Sequence, residues 1–125
     1  MELIKTHKDL KVYNLAFEAA MEIFKITMTF PKEEKYSLND QIRRSSRSVA
    51  TNIVEAFRKR RYPKSFVSKL SDSEGEAAET QVWLEFAKEC GYISEDVHDE
   101  LYQKYDWILG MLINMINKPE KWKTL

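Results

Sequence analysis

The residues of this chain best suited to binding a charged ligand are its arginines, and all six lie within one short stretch. Residues 41–64 read QIRRSSRSVATNIVEAFRKRRYPK and contain a single acid, Glu55. A guanidinium group can donate two parallel hydrogen bonds to phosphate or carboxylate oxygens. The stretch therefore predicts a surface that binds either a polyanion or acidic side chains from elsewhere in the protein.

The candidate phosphate-binding residues lie on one side of a predicted helix and in the turn that follows it. At 100° per residue, four of the arginines fall within about 100° of one another, roughly opposite the apolar side. A row at this spacing can follow a nucleic-acid backbone without reading bases, so RNA or DNA is the predicted partner. The predicted nucleic-acid-binding residues are Arg43, Arg44, Arg47, Arg58, Lys59, Arg60, Arg61 and Lys64.

The acids that could pair with these arginines follow later in the chain. The formal net charge is zero, yet residues 41–70 carry nine bases and one acid, whereas residues 71–106 carry eleven acids and two lysines. An acidic stripe that runs into aromatic residues is typical of a contact surface. The alternative hypothesis is a structural or adaptor oligomer in which the two stripes serve only contacts between helices or subunits. The predicted subunit-interface residues are Asp72, Glu76, Glu79, Trp83, Phe86, Val12 and Ile23.

No combination of residues predicts catalysis or a cofactor. Glu95 and His98 form one Glu-x-x-His motif, but di-metal bundles need two such motifs and further glutamates, so no metal site is predicted. Cys90 has no histidine near it in sequence and is interpreted as a small packing residue at a helix end. Glycine-rich phosphate loops and a Ser-His-Asp order are absent. The sequence thus predicts a protein that is not an enzyme, with no catalytic residue and no small-molecule substrate.

Four long helices must position these residues. Hydrophobic periodicity and boundary residues, among them Pro31, Pro63, Gly91 and Ser94, separate four helical segments joined by short loops. This pattern predicts an all-α fold, an up-down-up-down antiparallel four-helix bundle that forms a single domain over residues 1–125. The predicted helices span about 9–29, 38–61, 64–90 and 94–117.

The first helix carries more apolar surface than a monomer needs. One stripe contains Phe17 and Met21, and a second, nearly opposite, contains Val12 and Ile23. A helix of a monomeric bundle needs an apolar stripe of only about 100°. Since soluble monomers rarely expose large apolar patches, the excess predicts a homo-oligomer.

Gly75, inside the third helix, costs about 1 kcal/mol relative to alanine, and it predicts the close approach of a neighbouring helix.

The sequence also indicates the cellular compartment of the protein. The single cysteine fits a reducing cytoplasm. The N-terminal residues MELIKTHKDLK lack the apolar run of a signal peptide. The longest apolar uncharged segment, residues 107–117, is far shorter than the ~20 residues that span a bilayer. We therefore predict a cytoplasmic protein with no membrane partner.

Several segments resemble a known family. They are DLKVYNLAFEAAMEIFKIT (9–27), FPKEEKYSLNDQIRRSSRSVATNIVEA (30–56), AETQVWLEFAKECGYI (78–93) and PEKW (119–122). They are similar to the small bacterial four-helix-bundle proteins encoded within intervening sequences of 23S ribosomal RNA genes. This resemblance implies a closed bundle that assembles into a ring, a homopentamer.

The same segments are similar to the accessory variability proteins of retroelements, which bind nucleic acid through a basic surface. Carried over by position, that resemblance implies that Arg43 and Arg44 belong to this basic surface. The sequence departs from the family pattern after Glu55, where Ala56 and Phe57 replace the usual glycines. This departure predicts a longer and stiffer second helix.

Overall fold

Four long α-helices form the protein in the computed structural model, which describes residues 4–123. Each helix packs against the next, and the last packs against the first. Every predicted helix end lies within three residues of the observed one. The predicted all-α, antiparallel four-helix bundle is therefore confirmed. The helices are α1 (Lys11–Thr27), α2 (Leu38–Arg58), α3 (Pro63–Glu89) and α4 (Glu95–Asn117).

Short connections hold the helices antiparallel. The turn after α3 is a Schellman motif: the Gly91 N–H donates to the Lys88 carbonyl and the Tyr92 N–H to the Ala87 carbonyl, each at 2.9 Å. Gly91 has the positive φ of 79° that this motif requires. The Ser94 hydroxyl then caps α4 by accepting a hydrogen bond from the Val97 N–H at 3.1 Å. Within residues 4–123, no helix is long and apolar enough to cross a membrane.

The core face of α1 is the reverse of the predicted one. Val12 and Ile23, which the sequence predicted at a subunit interface, are only 4% and 0% exposed and lie in the subunit's own core. Their assignment to an interface is wrong. The buried residues of α1 are all small or β-branched, which lets its backbone approach its neighbours closely. They are Val12, Ala16, Ala19, Ile23 and Thr27.

Phe17 and Met21 of α1, and Met28 just after its end, lie largely outside the core. Phe17 is 50% exposed, Met21 43% and Met28 67%. The first helix therefore does expose apolar side chains, as predicted. They lie on the stripe that contains Phe17 and Met21, not on the stripe that contains Val12 and Ile23.

Buried hydroxyls join α2 to α3. The Ser73 hydroxyl donates to the Val49 carbonyl at 2.8 Å, and the Thr80 and Ser45 hydroxyls hydrogen-bond to each other at 2.8 Å. Small side chains at these positions allow the two helices to pack closely. Each satisfied hydrogen bond contributes about 1 kcal/mol, and an unsatisfied partner would cost more.

Two smaller predictions about α3 are wrong. A Cβ atom added at Gly75 would meet nothing within 4 Å, so no neighbouring helix approaches this glycine closely. Cys90 is exposed rather than packed, because the chain turns away from the core at the end of the helix.

Candidate nucleic-acid interface

The first half of α2 lines a polar cleft of about 530 Å³. Helical periodicity brings its side chains together, because residues three and four apart share a face. We call this the arginine cleft, and its lining residues are Lys35, Asp40, Arg43, Arg44, Arg47, Ser48 and Thr51.

Arg43 is held in place by the end of α1. Its Nε donates to Thr27 Oγ1 at 2.8 Å, and its guanidinium carbon lies 4.9 Å from the Phe24 ring centroid. The side-chain amide of Asn39 donates to the Thr27 carbonyl at 3.1 Å, one helical turn before Arg43. The contacts with Thr27 and Phe24 hold the Arg43 guanidinium group in place, and the Asn39 bond holds the end of α1 against α2.

Arg44 is engaged by the acidic stripe of α3. Its Nη1 donates to Glu76 Oε2 at 2.8 Å, and its Nη2 donates to Glu79 Oε1. The indole N–H of Trp83 also donates to Glu79 Oε1, at 3.2 Å. Two carboxylates therefore surround one guanidinium group within the subunit, so Arg44 adds no net positive charge to the cleft.

The pKa values follow from this arrangement. Burial alone would raise the pKa of Glu79, but the hydrogen bonds that Arg44 and the Trp83 indole donate to its carboxylate outweigh it and lower this pKa. The hydrogen bond to Glu79 in turn raises the pKa of Arg44. The pair therefore stays charged through the neutral range.

Arg47 lines two neighbouring depressions, the arginine cleft and an apolar groove. Its side chain is exposed and, among the described residues, no carboxylate lies within ion-pair distance of it. Besides the arginine cleft, it borders an apolar groove of about 360 Å³ between α1 and α2. The lining residues of this apolar groove are Tyr13, Phe17, Ala20, Met21, Phe24, Arg47, Ala50, Thr51 and Val54.

The apolar groove was not predicted. Both apolar stripes of α1 match helical periodicity equally well, so the pattern alone does not say which one faces the core. The available signal was side-chain size, since the stripe of small and β-branched residues suits close packing and the stripe with Phe17 and Met21 does not.

A second basic group follows the end of α2. We call Arg58, Lys59, Arg61 and Lys64 the basic turn; all four are exposed. The Tyr62 N–H donates to the Lys59 carbonyl at 2.9 Å, which closes the turn before Pro63 begins α3. Within residues 4–123, none of the four has a carboxylate at ion-pair distance.

Aromatic rings flank the basic turn. The Arg61 guanidinium carbon lies 5.6 Å from the ring centroid of Tyr62, which is 59% exposed. Arg60 differs from its neighbours because it folds back on α2. Its guanidinium carbon lies 4.0 Å from the Phe57 centroid, and Nη1 donates to the Phe57 carbonyl at 2.8 Å.

The predicted interface residues of α3 fall into two sets. Glu76 and Glu79 bind Arg44, as described, whereas Asp72 is exposed. Phe86 is 53% exposed, and the Trp83 ring lies 5.7 Å from it, partly buried. With Val82, which is 45% exposed, they form the α3 patch.

The α4 patch is a further exposed apolar surface, centred on Trp107 and Ile113, which are 54% and 42% exposed. With Leu15 and Gly110 these residues line a broad groove of about 840 Å³ between α1 and α4.

The Glu-x-x-His motif of Glu95 and His98 is not part of a cluster of metal ligands among the described residues. His98 is buried, and its Nδ1 lies 2.9 Å from Asp99 Oδ1. Across the described part of the chain, no three His, Cys, Asp or Glu residues come close enough to hold a metal ion.

The family model described as 23S rRNA-intervening sequence protein matches residues 8–114. The chain belongs to this family. The predicted resemblance is therefore confirmed, and the matched region includes the arginine cleft, the apolar groove and the basic turn. No curated protein matches the chain.

A solved structure supports the same assignment to the 23S rRNA-intervening sequence protein family. The chain is similar to a protein with unknown function from the S23 ribosomal protein family of Bacteroides thetaiotaomicron, at 29% identity and a TM-score of 0.77. The similarity covers 85% of this chain and 95% of that one. The bundle is thus shared over nearly the full length of both chains.

Proposed function

We propose that this family member is a non-enzymatic cytoplasmic protein that binds the phosphate backbone of RNA or DNA through the basic face of α2 and the basic turn. The observation that carries the proposal is the basic turn itself. Its four cations are exposed, lie close together in sequence, and have no carboxylate at ion-pair distance within residues 4–123. Such a group repels itself, and contact with a polyanion relieves that repulsion.

The arginine cleft extends this surface along α2. The helix has 21 residues, so the cleft and the basic turn together follow a length of about 30 Å. Arg47 supplies an exposed charge within the arginine cleft. Arg43 and Arg44 are anchored to Thr27 and to Glu76 and Glu79, and we assign them mainly to shaping the cleft.

We further propose that the protein acts as a homo-oligomer, the pentameric ring that the resemblance implies. The proposal is supported by the α3 patch and the α4 patch, which expose Phe86 and Trp107. Contact between the α3 patch of one subunit and the α4 patch of the next would cover both. A ring would repeat the basic face and multiply weak phosphate contacts by avidity.

A second candidate function is a structural or adaptor oligomer that binds no nucleic acid. The contact of Arg44 with Glu76 and Glu79 favours it, because part of the arginine row already serves to join helices. The basic turn is the feature that this candidate leaves without a role.

Binding measured against salt separates the two candidates. Fluorescence anisotropy with labelled RNA and DNA at about 50 and about 200 mM salt should give an affinity that falls steeply with ionic strength. Absence of binding to either nucleic acid at the lower salt would contradict the nucleic-acid proposal and favour the adaptor. Light scattering tests the oligomer separately, and a stable monomer of 14.8 kDa would refute it.

A further inference from the structure

The arginine cleft and the apolar groove lie side by side. They share two lining residues, Arg47 and Thr51. The arginine cleft is lined by cations, hydroxyls and one acid, Asp40, and the apolar groove mainly by aromatic and aliphatic side chains. A ligand that fills both must carry anionic groups and apolar groups within a few ångströms of each other.

The apolar groove has the features of a base-stacking surface. Phe17 is 50% exposed, and its ring centroid lies 6.0 Å from that of Tyr13. At the other end, the Arg43 guanidinium carbon lies 4.9 Å from the Phe24 centroid. Unpaired bases stack on such rings and guanidinium planes. The bases of a duplex are already stacked on one another, so a duplex would leave the apolar groove empty.

An acid inside the arginine cleft narrows the choice of ligand. Asp40 lines the cleft, yet among the described residues no cation lies within ion-pair distance of it. A carboxylate repels phosphate, but it can accept a hydrogen bond from a ribose 2′-hydroxyl group. RNA offers that donor at every nucleotide and DNA does not.

We infer that the arginine cleft and the apolar groove together bind single-stranded RNA, with phosphates near Arg47 and unpaired bases stacked on Phe17. This inference rests on the proposed nucleic-acid binding and specifies its ligand. The stacked bases need no sequence-specific hydrogen bonds, so the site accepts many sequences.

The test compares one labelled oligouridylate of about 12 nucleotides as a single strand, as a duplex with oligoadenylate, and as its DNA counterpart. The variant is Phe17→Leu, which keeps apolar area and removes the aromatic face. Tyr102→Leu, on α4 and outside the apolar groove, the α3 patch and the α4 patch, is the control. We expect Phe17→Leu to weaken single-strand binding at least about fivefold, with duplex binding and the control variant unchanged.

The outcomes separate this inference from the proposed function. If the duplex binds as tightly as the single strand and Phe17→Leu changes neither, the inference fails while nucleic-acid binding stands. If none of the three probes binds, both fail. If Phe17→Leu instead changes the subunit number by light scattering without RNA, the apolar groove is a contact with a second copy of the chain, which also overturns the inference.

The ribose contact has its own readout. The ratio of RNA affinity to DNA affinity cancels the general effect of removing a charge. Asp40→Ala should lower this ratio toward one, while an unchanged ratio would refute the role assigned to Asp40.

Discussion

The two ends of α2 carry similar numbers of basic residues but place them in different surroundings. Near its start, Arg43 contacts Thr27 and Phe24, and Arg44 is bound by Glu76 and Glu79. After its end, the basic turn has no acid at ion-pair distance in the described chain. Arg43 and Arg44 are therefore largely packing and pairing elements, whereas a cation of the basic turn is available to a ligand.

The difference teaches that a row of arginines in sequence need not be one functional surface. The two acids of the third helix that bind an arginine, Glu76 and Glu79, lie beside Arg44 in the first half of α2. The basic turn connects α2 to α3, beyond the reach of the acidic stripe. The position of the acids along α3 decides which arginines they bind.

The largest expected effect is at the basic turn. Replacing all four cations, Arg58→Gln, Lys59→Gln, Arg61→Gln and Lys64→Gln, removes up to four phosphate contacts. Affinity for nucleic acid at about 50 mM salt should fall on the order of a hundredfold, and the slope of log K against log salt should flatten by about three to four. Anisotropy titrations over a salt series measure both.

A matched control removes four cations elsewhere, as Lys5→Gln, Lys8→Gln, Lys25→Gln and Lys88→Gln. It changes the net charge equally. An equal loss of affinity in both variants would mean that only net charge matters, and the basic turn would lose its special role.

The second effect separates neighbours within the arginine cleft. Arg47→Gln should weaken binding about five- to tenfold, flatten the salt slope by about one and leave stability unchanged. Arg44→Gln should weaken binding less than Arg47→Gln does, and it should cost at most about 1 kcal/mol of unfolding free energy because the ion pair is half exposed. Urea unfolding measures the stability of both variants, and anisotropy measures their affinity for nucleic acid. Equal losses of affinity would break the distinction between paired and available arginines.

A third variant checks that affinity does not simply follow stability. Gly75→Ala should raise the unfolding free energy by about 1 kcal/mol, because an added Cβ meets nothing and alanine favours the helix. Its affinity for nucleic acid should not change. Gly91→Ala is the matched control and should destabilise by about 1 kcal/mol, because Gly91 has a φ of 79°. A tighter-binding Gly75→Ala protein would link affinity to stability and contradict the account.

The smallest effect concerns pH. Because the pKa of Glu79 is lowered in the folded protein, its contribution to stability is present above its ordinary value of 4.5 and is lost as the pH falls through the folded value. The difference in unfolding free energy between wild type and Arg44→Gln should therefore shrink below about pH 4.5. A difference that stays constant from neutral pH to pH 3 would show that Arg44 stabilises by packing instead.

Much of the fold could be predicted from the sequence, because helix boundaries are local signals. Gly91 and Ser94 act through hydrogen bonds to residues within five positions, and both mark their boundaries as predicted. The orientation of α1 is not local. Val12 and Phe17 both match the helical period, and which one is buried depends on how closely α2 and α4 approach.

The candidate site was predicted in composition but not in arrangement. The acids of α3 and the arginines of α2 were both found in the sequence. Which arginine meets Glu76 and Glu79 depends on the relative register of the two helices, which no local pattern encodes. The apolar groove beside Arg47 was missed for the same reason, since it forms only when α1 and α2 pack together.

The most direct test of the central claim is lysine footprinting of the protein with and without RNA. Acetylation rates are read residue by residue by mass spectrometry. If the basic turn binds the phosphate backbone, Lys59 and Lys64 should be acetylated several-fold more slowly when RNA is bound, while exposed Lys25 on α1 should react at the same rate. Equal protection of all three lysines, or no protection of Lys59 and Lys64 under conditions where RNA is bound, would contradict the account.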